Sequence, residues 1–211
     1  MEYAIRDIAL VARKLEKEGH KITYLNIGDP VQYGFQPPEN VKDAFISAIK
    51  KGQNYYATSE GLPELRSAIA QKEKAKGLSV SEDDIIVTNG VSEGLEMLMA
   101  SIVETGDEVL IPGPYYPPYA SYVRLFGGVP IEFSVDLSNS TPDLDDIKSK
   151  ITSKTVAICL ISPNNPTGAV FNEKSLRELV GIAVEHDLYI ICDEIYDQIV
   201  FDEKFVGIGK V

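Results

Sequence analysis

Apolar residues are spaced in two different ways along this chain. In the first part the period is helical. Ile5, Ile8, Ala9, Ala12 and Leu15 recur at near-helical spacing up to Gly19, which predicts an amphipathic helix over 1–19 that starts without a capping residue. Residues 22–27 alternate weakly, and Gly28-Asp29-Pro30 then breaks the pattern into a loop running through Gly34 and Pro37-Pro38. A second helix is expected over 38–51, with Val41, Phe45, Ala48 and Ile49 on one face and Gly52 beyond its end. After a tyrosine-rich loop, a third is expected over 62–76. Pro63 falls in its first turn, where a missing N–H costs nothing, and Gly77 stops it.

From Asp83 onward short apolar runs alternate with helical stretches. Strands are expected at 85–87, 109–111, 129–135, 156–161 and 188–192. Between them lie a helix through Leu95, Leu98, Met99 and Ile102, another through Tyr119 and Tyr122, and two more at 144–151 and 173–186. This alternation predicts βαβ units: an α/β fold of three αβα layers, its mostly parallel sheet covered by helices on both faces. The loop at 28–38 marks the expected boundary between an N-terminal part, 1–36, and a large domain, 37–211. Ligands of such sheets sit beyond the carboxyl ends of the strands. Four segments qualify: 88–90, 112–119, 162–168 and 193–196. No internal repeat or low-complexity tract is present.

Composition narrows the partners. The chain has 211 residues, 44% hydrophobic and 25% charged, enough for a sizeable core. Its 32 acidic against 20 basic residues give a net charge of −12, which repels phosphate backbones and anionic membranes, so neither nucleic acid nor membrane is an expected partner. No apolar run reaches the ~20 residues of a membrane helix, and the first residues show no signal-peptide pattern. Cys159 and Cys192 each sit in an apolar run and are expected as buried, reduced thiols. A cytoplasmic location is expected on these grounds. No metal is expected.

The strand ends carry the chemistry. Thr88-Asn89-Gly90-Val91-Ser92-Glu93-Gly94 is a glycine-containing turn feeding a helix. Its free N–H groups and positive dipole end suit a phosphate, although plain turn chemistry with Ser92 as a cap explains it equally well. It is neither a Walker A loop nor a GxGxxG fingerprint. Pro114-Tyr115-Tyr116-Pro117-Pro118-Tyr119 is either core or a surface on which a flat ring stacks. Ser162-Pro163-Asn164-Asn165-Pro166-Thr167-Gly168 is first a turn, yet its asparagines can donate to a ligand oxygen. Asp193, with Tyr196 three residues on, follows an apolar run. A carboxylate there is costly to bury without a positive partner, which is either an interior ion pair or a ligand. A phosphate cup, a stacking surface, an amide, a carboxylate and a phenol together fit pyridoxal 5'-phosphate, whose ring nitrogen stays protonated only against a carboxylate.

On these residues the chain resembles the class I and II aminotransferases, the aspartate aminotransferase-like enzymes of fold type I. The matching pieces are Asn26-Ile27-Gly28-Asp29-Pro30, Tyr56 followed by Gly61-Leu62-Pro63-Glu64-Leu65-Arg66, Asn89-Gly90-Val91-Ser92-Glu93, Tyr115-Tyr116-Pro117-Pro118-Tyr119, Asn164-Asn165-Pro166-Thr167-Gly168 and Asp193-Glu194-Ile195-Tyr196. The resemblance implies that Asp193 pairs with the pyridine nitrogen and that Asn165 and Tyr196 hydrogen-bond the ring's 3-hydroxyl oxygen. It implies that Val91 and Ser92 hold the phosphate, that Tyr116 stacks on the ring and that Gly28 leaves room beside the substrate carboxylate. Tyr56 resembles the residue that reaches the phosphate of a neighbouring subunit, which implies a homodimer. The domains then read as an N-terminal part of the small domain, 1–36, and a truncated cofactor-binding large domain, 37–211.

The resemblance also implies a Schiff-base lysine in a Ser-x-x-Lys-like setting downstream of Asp193. Lys204 and Lys210 are the only lysines after Asp193, and neither has that setting. The expected function is therefore transfer of an amino group between an L-amino acid (alanine-like, aspartate or aromatic) and a 2-oxo acid, with these 211 residues a fragment that lacks the lysine and would not turn over alone. The same fold and motifs serve C–S lyases and aminocyclopropane-carboxylate-synthase-like enzymes. A non-catalytic cofactor-binding or interaction half is the reading from another class.

Overall fold

The computed structural model describes residues 4–25, 28–202 and 204–211. Asn26 and Ile27 of the first motif, and residues 1–3 of the first predicted helix, lie outside them. The chain divides into two compact units, Met1–Thr58 and Ser59–Val211.

In the first unit, α1 (Ala4–Lys17) is followed by Gly19 at φ +92. Asp29 opens a short 3₁₀ helix, Pro30–Tyr33, by accepting the Val31 N–H at 3.1 Å, and Gly34 ends it at φ +90. The second helix, α2, is Glu39–Lys50. Its predicted apolar face is present but uncovered: Val41, Phe45 and Ile49 are 49–69% exposed. A helical period identifies a face without supplying what packs on it. Residues 21–25 form no strand.

The second unit runs α3 (Pro63–Ala75), a 3₁₀ turn (Glu82–Asp84), α4 (Gly90–Ile102), β1 (Glu108–Gly113), α5 (Pro118–Leu125), β2 (Val129–Asp136), β3 (Thr141–Pro142), α6 (Leu144–Lys150), β4 (Thr155–Ile161), α7 (Glu173–Glu185) and β5 (Tyr189–Asp193). The sheet order is β3-β2-β1-β4-β5. β2, β1, β4 and β5 are parallel, and only the two-residue β3 runs antiparallel, on β2. Local chemistry starts the crossover helices. The Asp143 carboxylate accepts the N–H groups of Asp145 and Asp146 at the head of α6, and Asn172 accepts that of Ser175 at the head of α7.

Alternation along the strands creates two cores. Val109, Ile111, Ala157, Cys159, Ile161 and Ile191 face Leu95 and Met99 of α4 and Tyr119, Ala120 and Val123 of α5. Leu110, Phe133, Ile158 and Leu160 face Ile147 of α6 and Leu176, Leu179 and Ile182 of α7. Each buried aliphatic side chain of this size contributes about 1.5–3 kcal/mol. The three-layer reading holds, with one correction. Residues 85–87 are not a strand, because their backbone groups are taken by partners outside the sheet: the Val87 N–H goes to the Glu60 carbonyl at 2.9 Å, and the Ile85 carbonyl accepts Arg66 Nε at 3.0 Å.

Candidate functional site

The carboxyl ends of β1, β4 and β5 come side by side in the parallel register, with Ile161 opposite Asp193. Asp193 is the last residue of β5 and continues the side of the strand on which Ile191 faces α4 and α5. It is 9% exposed, and both of its carboxylate oxygens are occupied by protein donors. The Ile195 N–H donates to Oδ1 at 2.9 Å, and the Tyr119 hydroxyl donates to Oδ2. No basic side chain pairs with Asp193 among the described residues, so the interior ion pair weighed from the sequence is not what holds it. Burial first, and the adjoining carboxylate second, push the Tyr119 hydroxyl far above the ordinary tyrosine range, so it remains a donor.

Tyr119 is the partner of Asp193 that sequence reasoning passed over. The aromatic run pointed to Tyr116 as the stacking surface, and Tyr119 served only as a member of the cluster and of α5. In the structure the two rings meet edge to face, centroids 6.2 Å apart at 79°. Tyr116 is half-buried and Tyr119 is fully buried. The signal was available in the spacing: three residues apart at a helix start, the two share a side, so a role for one carries the other toward it.

Opposite Asp193 lies the start of α4. The Gly90 N–H closes onto the Thr88 carbonyl at 2.8 Å, and the Asn89 N–H is taken by Glu93. Val91 and Ser92 donate to no backbone carbonyl among the described residues, which leaves two N–H groups at the positive end of a 13-residue helix. Val91 and Asp193 line one cleft of about 210 Å³, together with Leu95 and Ile195. Asn165 is half-buried on the loop after β4. Its neighbour Asn164 is buried and braces that loop, accepting the Thr167 N–H and hydroxyl at 3.1 and 2.8 Å. Tyr196 is half-buried in the turn after β5 and close enough to Tyr119 to raise it further.

The second unit thus brings Val91, Asp193, Tyr116 and Tyr196 to one end of the sheet through direct or shared neighbours, with Ser92 beside Val91 and Asn165 beyond the adjacent strand. Gly28 and Tyr56 belong to the first unit. Gly28 is exposed, with no atom within 4 Å of a Cβ built on it, and Tyr56 is fully exposed. The donor set suits pyridoxal 5'-phosphate: a helix N-terminus with free N–H groups and a hydroxyl for a phosphate, a carboxylate for a protonated ring nitrogen, an amide and a phenol for a ring oxygen, and an aromatic face.

Comparison with known proteins agrees. The family model "Aminotransferase class I and II" matches residues 20–210. The glutamate-pyruvate aminotransferase AlaA of Escherichia coli is 43% identical over 194 residues, 91% of this chain and 48% of that protein. An alanine aminotransferase structure from Pyrococcus furiosus superposes with a TM-score of 0.95 at 49% identity, over 99% of this chain and 54% of the other. A double mutant of Thermus thermophilus aspartate aminotransferase gives 0.93 at 37% identity, over 100% and 55%. The chain spans about half the length of the curated relatives it matches. With the ordered motifs, the parallel sheet and the strand-end donors all in place, the chain belongs to the class I and II aminotransferases.

Proposed function

We propose that this chain is the cofactor-holding part of an aminotransferase that moves an amino group between an L-amino acid and a 2-oxo acid. The observation that carries the reading is Asp193: a buried carboxylate with no cationic partner among the described residues, sharing one cleft with Val91 at the start of α4. In this reading residues 1–36 contribute to a small domain and 37–211 form most of a large one, in a cytoplasmic homodimer. The relatives named for alanine and for glutamate–pyruvate transfer favour an alanine-type substrate pair.

Class I and II aminotransferases depend on pyridoxal 5'-phosphate, which when bound supplies an electron sink for the substrate's α-carbon. The residues here hold it and set its electronics. The N–H groups of Val91 and Ser92, with the Ser92 hydroxyl, bind the phosphate. Asp193 would accept a hydrogen bond from the ring N–H and so keep the ring nitrogen protonated. Asn165 and Tyr196 donate to the ring oxygen, and Tyr116 lies on a face and excludes water from it. Gly28 leaves space for the substrate carboxylate, and Tyr56 reaches the phosphate of the partner subunit.

The test uses the full-length protein with pyridoxal phosphate, L-alanine and 2-oxoglutarate. Pyruvate and glutamate are the expected products. Asp193→Ala is expected to cut turnover by about a thousandfold or more while the far-UV circular dichroism is unchanged, because ring protonation is lost and no stabilising ion pair is broken. Near-normal turnover in that variant, or release of ammonia in place of glutamate, would overturn the assignment.

A further inference from the structure

We propose that Tyr119 is the positioning residue of the site: its phenol O–H fixes the plane of the Asp193 carboxylate and aims its free lone pairs at the cofactor's ring nitrogen. The proposal rests on the cofactor reading above and adds a residue to it. A carboxylate at a strand end has a rotatable side chain, and its plane is defined only when both oxygens are held. Here the Ile195 N–H holds Oδ1 and the Tyr119 hydroxyl holds Oδ2. The first hold is local, two residues along the chain. The second arrives from α5, 74 residues away, and ties the carboxylate to the helix that also presents Tyr116. The Tyr119 ring cannot drift, being 1% exposed within the core of α4, α5, β1 and β4 and edge-on to Tyr116.

The groups facing Asp193 support a neutral donor. Tyr119 comes from α5 and Cys159 from β4, Tyr196 follows in the turn, and Cys192 precedes Asp193 on β5 with its side chain on the opposite face. Burial pushes the Tyr119 phenol and both thiols well above their ordinary ranges, so none of these three brings a competing negative charge near neutral pH. Glu194 turns elsewhere, with Oε1 accepting the Ile208 N–H at 2.7 Å. From the start of α4, Glu93 is engaged by the Asn89 N–H. An ionised phenol here would repel the carboxylate, whereas a protonated one donates to it.

The test takes full-length protein as wild type, Tyr119→Phe, Asp193→Asn and the double variant, and titrates each with pyridoxal phosphate. Two quantities are read: the dissociation constant, and the pH at which the bound cofactor's absorbance changes. Tyr119→Phe keeps the ring and removes only the donor. It is expected to weaken binding about tenfold and to shift that pH by about one unit, since a misaimed carboxylate changes its hold on the ring proton. In the Asp193→Asn background the same change is expected to alter binding less than about twofold, because the group it acts through is gone. Wild-type behaviour of Tyr119→Phe, or an undiminished effect in the Asp193→Asn background, overturns the proposal. Failure of wild type to bind the cofactor overturns the cofactor reading itself. If Tyr119→Phe does not fold, a ring-fluorinated tyrosine at 119, a stronger donor of nearly the same shape, must shift the absorbance pH, and no shift overturns the proposal.

Discussion

Gly61 sits at φ +104, and a Cβ added there would lie 2.7 Å from both Cβ and Cγ2 of Val87. The backbone angle strains any L side chain, and Val87 offers a branch point close to its own backbone, which cannot swing away. Gly61→Ala is therefore expected to lower stability by about 2–4 kcal/mol, seen as a lower denaturant midpoint with an unchanged slope. A loss under about 0.5 kcal/mol would mean that the turn after Thr58 rearranges. Single residues differ in how legible they are. Asp193 was readable because an aspartate after an apolar run is costly on its own terms, whereas Gly61 entered only as a member of a motif and its close approach to Val87 was not readable. The hydrogen bond from Tyr119 was only half readable: the spacing puts Tyr119 on the side of Tyr116, but its contact with Asp193 depends on how α5 crosses the sheet.

At the scale of elements, α3 is tied to the turn after β5 by Lys76, which lies 2.8 Å from Asp197 and 2.9 Å from Glu73. Partial burial alone would lower the Lys76 pKa, but hydrogen bonds to the two carboxylates outweigh it and the net shift is upward. For Asp197 burial acts upward and is outweighed by Lys76, so its net shift is downward. The signs follow from linkage. The raised lysine contributes stability present below its unfolded value and lost as pH rises through the folded one. The lowered aspartate contributes stability present above its unfolded value and lost as pH falls through the folded one. The tie is thus at full strength from about pH 5 to pH 9, where both groups are charged in either state. Lys76→Met is expected to remove about 1 kcal/mol in that window and to flatten both flanks of the stability–pH curve, as read from thermal midpoints between pH 3 and 11. Equal loss at every pH would assign Lys76 a packing role instead. Most elements were legible from their periods, because β1, β2, β4 and β5 are apolar runs between helices. Residues 85–87 have the same composition without being a strand. Their backbone partners, Glu60 and Arg66, lie outside any window in which a period is read.

For the whole molecule, the chain divides into its two compact units after Thr58, just beyond Tyr55 and Tyr56, which are 72% and 102% exposed. Exposed aromatic residues at such a place are preferred chymotrypsin sites. Limited digestion is expected to cut first after Tyr55 or Tyr56 and to leave a product of about 150 residues, identified by mass. If Tyr56 enters a partner subunit, the cut slows as the protein is concentrated into dimers, and a rate independent of concentration argues against that contact. A further consequence follows from the double allegiance of β4. Cys159 and Ile161 look toward the side that carries Asp193 and Tyr119, while Ile158 and Leu160 look toward α6 and α7. One seven-residue strand thus feeds two cores, and only one of them adjoins the candidate site, so a change at Cys159 or Ile161 reaches the site and the stability together while one at Ile158 or Leu160 reaches the stability first.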